Sequence, residues 1–319
     1  RAAGGMSPGD GSGGQAGDTV FVKNMQTDQY ETWVKSFDSD DLNWYQEALD
    51  LWGGSVQSES HGVAELTPPP VESFDEGGFY WSQADEGGLV LKDGALFGPG
   101  GDPINLSGYP GLLTSVTTAD KREDANMKLQ TVDGALLKQL INDKFGPDKI
   151  YPKFNGAFWC GTSSYTPGDN VTYDATQFKN AADLSTDASA SVPGMTIITP
   201  QPIYLKGDFN KNNKVPAAVM ADAVNVFSNT WDNSKTLTQA ECPDVTPGST
   251  TTINAAIVTG MVEGSAGMQN ALRLHEDWNI NQQWAYLDFT GSTAVLNESR
   301  YATSPIQFRW NYCWAPRRN

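Results

Sequence analysis

The sequence predicts a mainly β protein: an irregular parallel β-helix or β-solenoid, with a mixed N-terminal region that contains a short helix. Three observations carry this. From residue 150 onward, short runs of apolar and Thr residues follow one another closely and without clean alternation, as strands buried against stacked neighbours do. Long helical patterns do not interrupt this series. A clear helical period occurs in one segment, residues 133–145. No fixed-period repeat is present, so the solenoid is expected to be irregular.

Residues 1–18, rich in Gly, Ser and Asp, form a flexible arm with nothing to bury. Residues 19–149 form a mixed, aromatic-rich α+β region. Within it, Ser39-Asp-Asp-Leu-Asn-Trp-Tyr-Gln-Glu-Ala-Leu-Asp-Leu-Trp52 has an N-cap candidate and early acids, which predicts a short helix over 41–51. Thr67-Pro-Pro-Pro70 punctuates the chain. Phe79-Tyr-Trp81 and Leu89–Phe97 read as short strands joined by Gly-Gly and Asp-Gly turns, and 98–103 as a loop. Asp133–Phe145 reads as a helix, with Leu136, Leu137, Leu140, Ile141 and Phe145 on one stripe and Gly146-Pro147 as the stop. The stripe is a core face rather than a binding groove.

Residues 150–319 form the β-rich, solenoid-like domain. Strands are predicted at Ala157–Cys160, Met195–Thr199, Ile203–Lys206, Ala218–Val226, Ile253–Val258, Trp284–Phe289, Thr293–Leu296 and Ile306–Trp310. Between the third and fourth lies Gly207-Asp-Phe-Asn210, a tight polar turn. Asp208, Asn210 and Asn212 stand at alternate positions, the oxygen spacing that opens a Ca²⁺ loop. Asn213 replaces the turn Gly and Val219 the bidentate acid, so a corner in which Asp and Asn bond backbone outweighs Ca²⁺ as cofactor.

Several blocks resemble the C-terminal region of exported bacterial type IV pilus-assembly or minor-pilin-like proteins, a broad group that includes the hormogonium polysaccharide biosynthesis protein. They are Thr118–Glu123 with Thr131–Leu137, then Val192–Asn210, Pro216–Val224 and Asn254–Gly260. Leu272-Arg-Leu-His-Glu-Asp-Trp278, Gly291–Thr303 and Ala315-Pro-Arg-Arg-Asn319 complete the set. They cover about the last two hundred residues and contain no catalytic signature. The resemblance implies an exported, β-rich protein, extracellular or on the cell surface. A pilin-type apolar helix does not occur within residues 1–319.

Composition narrows the function classes. Across 319 residues the formal net charge is -17 and the Lys and Arg residues are scattered, which argues against nucleic acid and anionic lipid as partners. No apolar run approaches the ~20 residues of a membrane span. Cys160, Cys242 and Cys313 permit one disulfide with a leftover thiol, or three reduced thiols, and no paired Cys spacing suits zinc. His275, beside Glu276 and Asp277, is one of two histidines, and its expected role is as a satisfied hydrogen-bonding partner. The acids Asp38, Asp40 and Asp41, or Asp120, Glu123 and Asp124, could form a glycosidase-type pair, but a solvated acidic face is the simpler reading.

These readings add up to a non-enzymatic structural or interaction protein, a subunit of a pilus-like filament or other surface assembly. The alternative is a carbohydrate-active β-helix enzyme or a sugar-binding adhesin, with polysaccharide as partner. Subunit contacts are expected at the chain ends. The arm at 1–18 costs ~1–2 kcal/mol per residue to order and needs a neighbour. Phe308, Trp310, Trp314, Arg317 and Arg318 offer aromatic and basic groups to an acidic partner surface.

Overall fold

The computed structural model describes residues 19–24, 29–34, 69–120, 123, 125–162, 172–187, 194–234, 245–261, 271–276, 278–280 and 283–302. The chain divides into two units, Arg1–Pro68 and Pro69–Asn319. In the first, strands β1 (Thr19–Asn24) and β2 (Gln29–Val34) pair antiparallel, from Thr19↔Val34 to Asn24↔Gln29. The helix expected at 41–51 and the strand expected at Ile306–Trp310 lie outside the described residues, as does the arm at 1–18.

The second unit is mainly β. It contains the α-helices α1 (Phe79–Gly87) and α2 (Gly134–Lys144). Its strands begin with β3 (Leu89–Lys92), β4 (Ala95–Gly98), β5 (Asp102–Pro103), β6 (Leu113–Asp120), β7 (Ala125–Asp133), β8 (Ala157–Gly161) and β9 (Thr172–Lys179). They continue with β10 (Met195–Lys206), β11 (Ala217–Phe227), β12 (Thr250–Asn254), β13 (Ala256–Met261) and β14 (Arg273–Leu274). The last are β15 (Asn279–Ile280), β16 (Gln283–Trp284), β17 (Tyr286–Thr290) and β18 (Thr293–Glu298). Among the described residues, twelve of these strands join in one curled, mixed sheet.

The sheet runs across residue 150, where the sequence suggested a domain boundary. β3 pairs with β8 and β7 with β9, so residues on both sides of 150 share one sheet.

Two rows of parallel strands dominate. In the first, Leu89, Phe158, Ile197, Val219, Ile257 and Thr293 stand in register across β3, β8, β10, β11, β13 and β18. In the second, Val132, Phe178, Leu205, Val226 and Leu274 align across β7, β9, the second half of β10, the second half of β11, and β14. Apart from Thr293 and Leu274, these side chains are buried in one common core. The chain visits the rows alternately, and a third set of contacts closes the path. Phe209 bridges Ile253 in parallel, and β12 pairs with β17.

β10 and β11 serve both rows because each bends in the middle. The register slips between Thr199 and Pro202, where Pro200 and Pro202 lack the N–H that a ladder requires. β3 and β4 form the expected hairpin. Asp93 and Gly94 have φ of 50° and 80°, the left-handed pair of a type I′ turn.

The expected helix is present as α2. The Asp133 carboxylate accepts from the backbone N–H of Ala135 and Leu136 and caps it, and Leu137, Leu140, Ile141 and Phe145 are buried. The strand expected at Phe79-Tyr-Trp81 is instead the first turn of α1. Tertiary packing overrides β-propensity here. The outer face of the first row carries Val90, Trp159, Ile198 and Met220, and α1 covers it with Tyr80, Trp81 and Ala84. The segments expected as single strands at Ile253–Val258 and Trp284–Phe289 are each broken, at Ala255 and at Ala285. Among the described residues, no helix is long and apolar enough to cross a membrane.

Leu205 sits in the middle of the second row with no exposed surface. Leu205→Ala is expected to cost ~2–5 kcal/mol in urea denaturation, and a loss below ~1 kcal/mol would show that this row is not the core.

Candidate functional site

Charged and amide side chains gather at three places: the corner after β10, a buried network beneath Tyr204, and an open cleft.

At the corner, Gly207 (φ 79°) and Asn210 (φ 52°) turn the chain away from β10. Asp208 Oδ1 accepts from the Thr252 N–H at 2.8 Å and from Asn229 Nδ2 at 3.2 Å, while Oδ2 accepts from Lys211 Nζ at 2.8 Å. Asn210 Nδ2 donates to the carbonyls of Val215 and Asn254 at 2.7 and 2.9 Å, and its Oδ1 accepts from the Val215 N–H. Asn254 returns the contact through Nδ2 to the Asn210 carbonyl at 3.0 Å. The backbone N–H groups of Asn210 and Asn212 donate to the carbonyls of Ala181 and Ala182. Three passes of the chain, near 181, 210 and 254, are therefore stitched at one point. Burial pushes the Asp208 carboxyl upward, but Lys211, the Thr252 N–H and Asn229 outweigh it and hold it below the usual carboxylate range.

Of the three residues with Ca²⁺-loop spacing, Asp208 and Asn210 thus accept protein hydrogen bonds, and Asn212 is exposed. Among the described residues, no group of three or more His, Cys, Asp and Glu side chains is placed to hold a metal ion.

The second place lies on the outer face of the second strand row. Thr131, Gln177, Tyr204, Asn225 and Arg273 align in register there and are all buried. Tyr204 donates its hydroxyl proton to Asp120 Oδ2 at 2.7 Å, and His275 Nδ1 lies 3.5 Å from Asp120 Oδ1. His275 Nε2 is 2.8 Å from Asn225 Oδ1. Arg273 pairs with Glu123, and both are almost fully buried. Glu276 accepts from the Ser228 hydroxyl at 2.7 Å and from the Ser228 N–H. The turn between β6 and β7 is in this way clamped to β14, 150 residues later.

Burial raises the Asp120 carboxyl, but the charges of His275 and Arg273 and the Tyr204 hydrogen bond bring it below its ordinary value. Aromatic packing seals the region. Tyr204 stacks on Phe227, and Phe227 on Trp231 with centroids 4.0 Å apart. Of the acids suggested for a glycosidase-type pair, Asp120 and Glu123 are brought together but point into this packed network. Asp38, Asp40, Asp41 and Asp124 lie outside the described residues.

The third place is a cleft of about 180 Å³ where β10 bends, with Asp75, Glu76, Lys92, Trp159, Gln201 and Tyr301 among its walls. Lys92 Nζ donates to Glu76 Oε1 at 2.6 Å, and Arg300 Nη1 to Asp75 Oδ1 at 2.9 Å. It is not legible in the sequence, because its walls come from five separate stretches of chain. Asp222, nearby on β11, accepts from the Ser299 hydroxyl and from the N–H groups of Arg300 and Tyr301. Burial is the larger influence on Asp222 and leaves its carboxyl above the ordinary value.

Cys160 is a buried free thiol, and burial pushes its pKa up to about 12. Cys242 and Cys313 lie outside the described residues. So do the proposed contact residues Phe308, Trp310, Trp314, Arg317 and Arg318.

Two outcomes follow for the buried network. Arg273→Met strands the Glu123 charge and is expected to cost ~3–5 kcal/mol in chemical denaturation. The double variant with Glu123→Gln should recover much of that loss, and additive losses would show that the two side chains are not coupled. Asp120 has a folded pKa below its unfolded one. Its stabilisation is therefore present above the ordinary aspartate value of ~3.9 and is lost as pH falls through the folded value. Asp120→Asn should remove this part of the acid-induced loss, and an unchanged stability–pH curve would refute the assignment.

Comparison with family models, with curated proteins and with solved structures returns no match for this chain.

Proposed function

We propose that the chain is a parallel β-solenoid and serves as a non-enzymatic structural subunit of an extracellular, pilus-like filament or other cell-surface assembly. The reading is supported by how the protein uses its polar side chains. Asp208, Asn210, Asn229 and Asn254 join successive passes of the chain. Asp222 ties β11 to the segment after β18. Asp183, which accepts from Lys138 and Asn213, links α2 to the corner after β10. Acids and amides spent on backbone and neighbouring chain make a rigid scaffold.

The observation that carries the assembly reading is the edge of the main sheet. Among the described residues, β18 pairs with β13 alone, and it presents Thr293-Ala-Val-Leu-Asn-Glu298 as the last parallel strand. A strand in this position is a template for one more strand, and a second copy of the chain supplies it by edge addition. Contact between unlike surfaces propagates as a filament where its rotation does not close into a ring. The acidic charge and the resemblance to exported pilus-assembly proteins agree with an extracellular location.

The carbohydrate-active alternative needs acids that converge on an open cleft. Asp120 and Glu123 instead face Arg273 and His275 in the packed interior, and Asp75 and Glu76, which do line a cleft, are each engaged by a base.

The test uses the full chain with Val295→Pro, which removes an N–H from the edge strand. Wild-type protein should sediment as a concentration-dependent assembly and the variant as a monomer with unchanged far-UV circular dichroism. A wild-type protein that stays monomeric at every concentration would refute the proposal.

A further inference from the structure

We infer that the cleft at the β10 bend binds one ring of a neutral saccharide. At about 180 Å³ it exceeds many times the ~10–15 Å³ that a single water molecule needs, so it has room for a small ligand. Its floor is rigid. Gln201, itself buried, clamps the backbone of Thr162 twice: Oε1 accepts from the N–H at 3.0 Å and Nε2 donates to the carbonyl at 3.1 Å. One wall is Trp159, fixed by Nε1 donating to the Phe74 carbonyl at 2.7 Å. Another is Tyr301, whose backbone N–H donates to Asp222.

The charges select the ligand class. Each acid in the walls has a basic partner, Glu76 with Lys92 and Asp75 with Arg300. An anion would meet the two acids, and a cation would compete with the two bases. A neutral ligand that both donates and accepts suits such balanced pairs. The Lys92 ammonium has three donors and the Glu76 carboxylate about four acceptor sites, so each retains capacity beyond their mutual bond. The pair is also accessible, with side-chain exposures of 35% and 48%. Burial and the neighbouring Asp222 push the Tyr301 phenol up to about 12, so it keeps its proton to donate while its oxygen accepts from the Arg300 side chain. Hydroxyls around a ring with apolar C–H faces answer this set: the hydroxyls meet Glu76, Lys92 and the phenol, and a C–H face meets Tyr301, while the buried Trp159 backs the floor.

The experiment is calorimetric titration of the full chain with maltotriose, cellotriose and triacetylchitotriose, extended to an array of neutral glycans. Trigalacturonate serves as the acidic control. At least one neutral glycan should bind, and trigalacturonate should bind more weakly. Glu76→Gln, a change at an exposed side chain, should weaken binding about ten-fold or more with an unchanged unfolding midpoint. Tyr301→Ala should do the same, and Tyr301→Phe keeps the ring as a check if the alanine variant is unstable. No binding across the neutral array, equal or tighter binding of trigalacturonate, or unaltered binding by Glu76→Gln would each overturn the inference. Monomer and assembly should bind alike, so the result is independent of whether the chain forms filaments.

Discussion

The parallel register between β10 and β11, from Met195↔Ala217 to Lys206↔Phe227, fixes where the intervening chain can go. Antiparallel strands can be joined by a two-residue turn, but parallel strands need a connection that returns to the starting side. Residues 207–216 must therefore leave the end of one strand and travel back. They do so through Phe209, which bridges Ile253 on the way. The same demand recurs for β11 to β13 and for β13 to β18. Each return pass adds a strand to the first row, and the inward residues fall in line because the pairing repeats, its slips lying between Thr199 and Pro202 and between Thr259 and Gly260.

Such passes create bends, and bends leave backbone groups without ladder partners. The protein answers with short polar side chains. Asn210 is the fullest example: buried, left-handed at φ 52°, and bonded to two carbonyls and one N–H of other segments. Asp133 does similar duty, capping α2 and accepting from Asn180 Nδ2 at 2.7 Å. A strongly acidic chain thus uses part of its charge inside, where each carboxylate is held by donors rather than by water. The network of Asp120, Tyr204, His275, Arg273 and Glu123 is the most charged case. It lies where the second row's outer face is covered rather than solvated, which makes that part of the sheet buried on both sides.

Two-sided burial also explains which strands were legible. β8, β10, β11 and β18 are apolar enough to stand out. β6, β7 and β9 are not, since their buried positions include Thr118, Thr131, Thr176 and Gln177. Those side chains read as surface residues until a covering segment is known. The Thr-rich run at 114–118 and the alternation of Met127 and Leu129 were the available signs. The cleft was invisible for a related reason: Asp75, Lys92, Gln201 and Tyr301 are unremarkable singly and acquire meaning from their meeting.

The sequence by itself determined what depends on neighbours a few residues apart. The 3.6-residue stripe and Asp133 cap made α2, the Asp93-Gly94 pair made the hairpin, and Gly207 with Asn210 made the corner, because backbone preference and local side-chain bonding decide such features. Tertiary structure decided everything that depends on distant partners. Phe79-Tyr-Trp81 became helix because an apolar sheet face needed a cover, and Asp120 and Glu123 became interior groups because Arg273 and His275 arrive to pair them. A buried charge is stable only when its partner is in place, and no local reading of the chain specifies a partner 150 residues away.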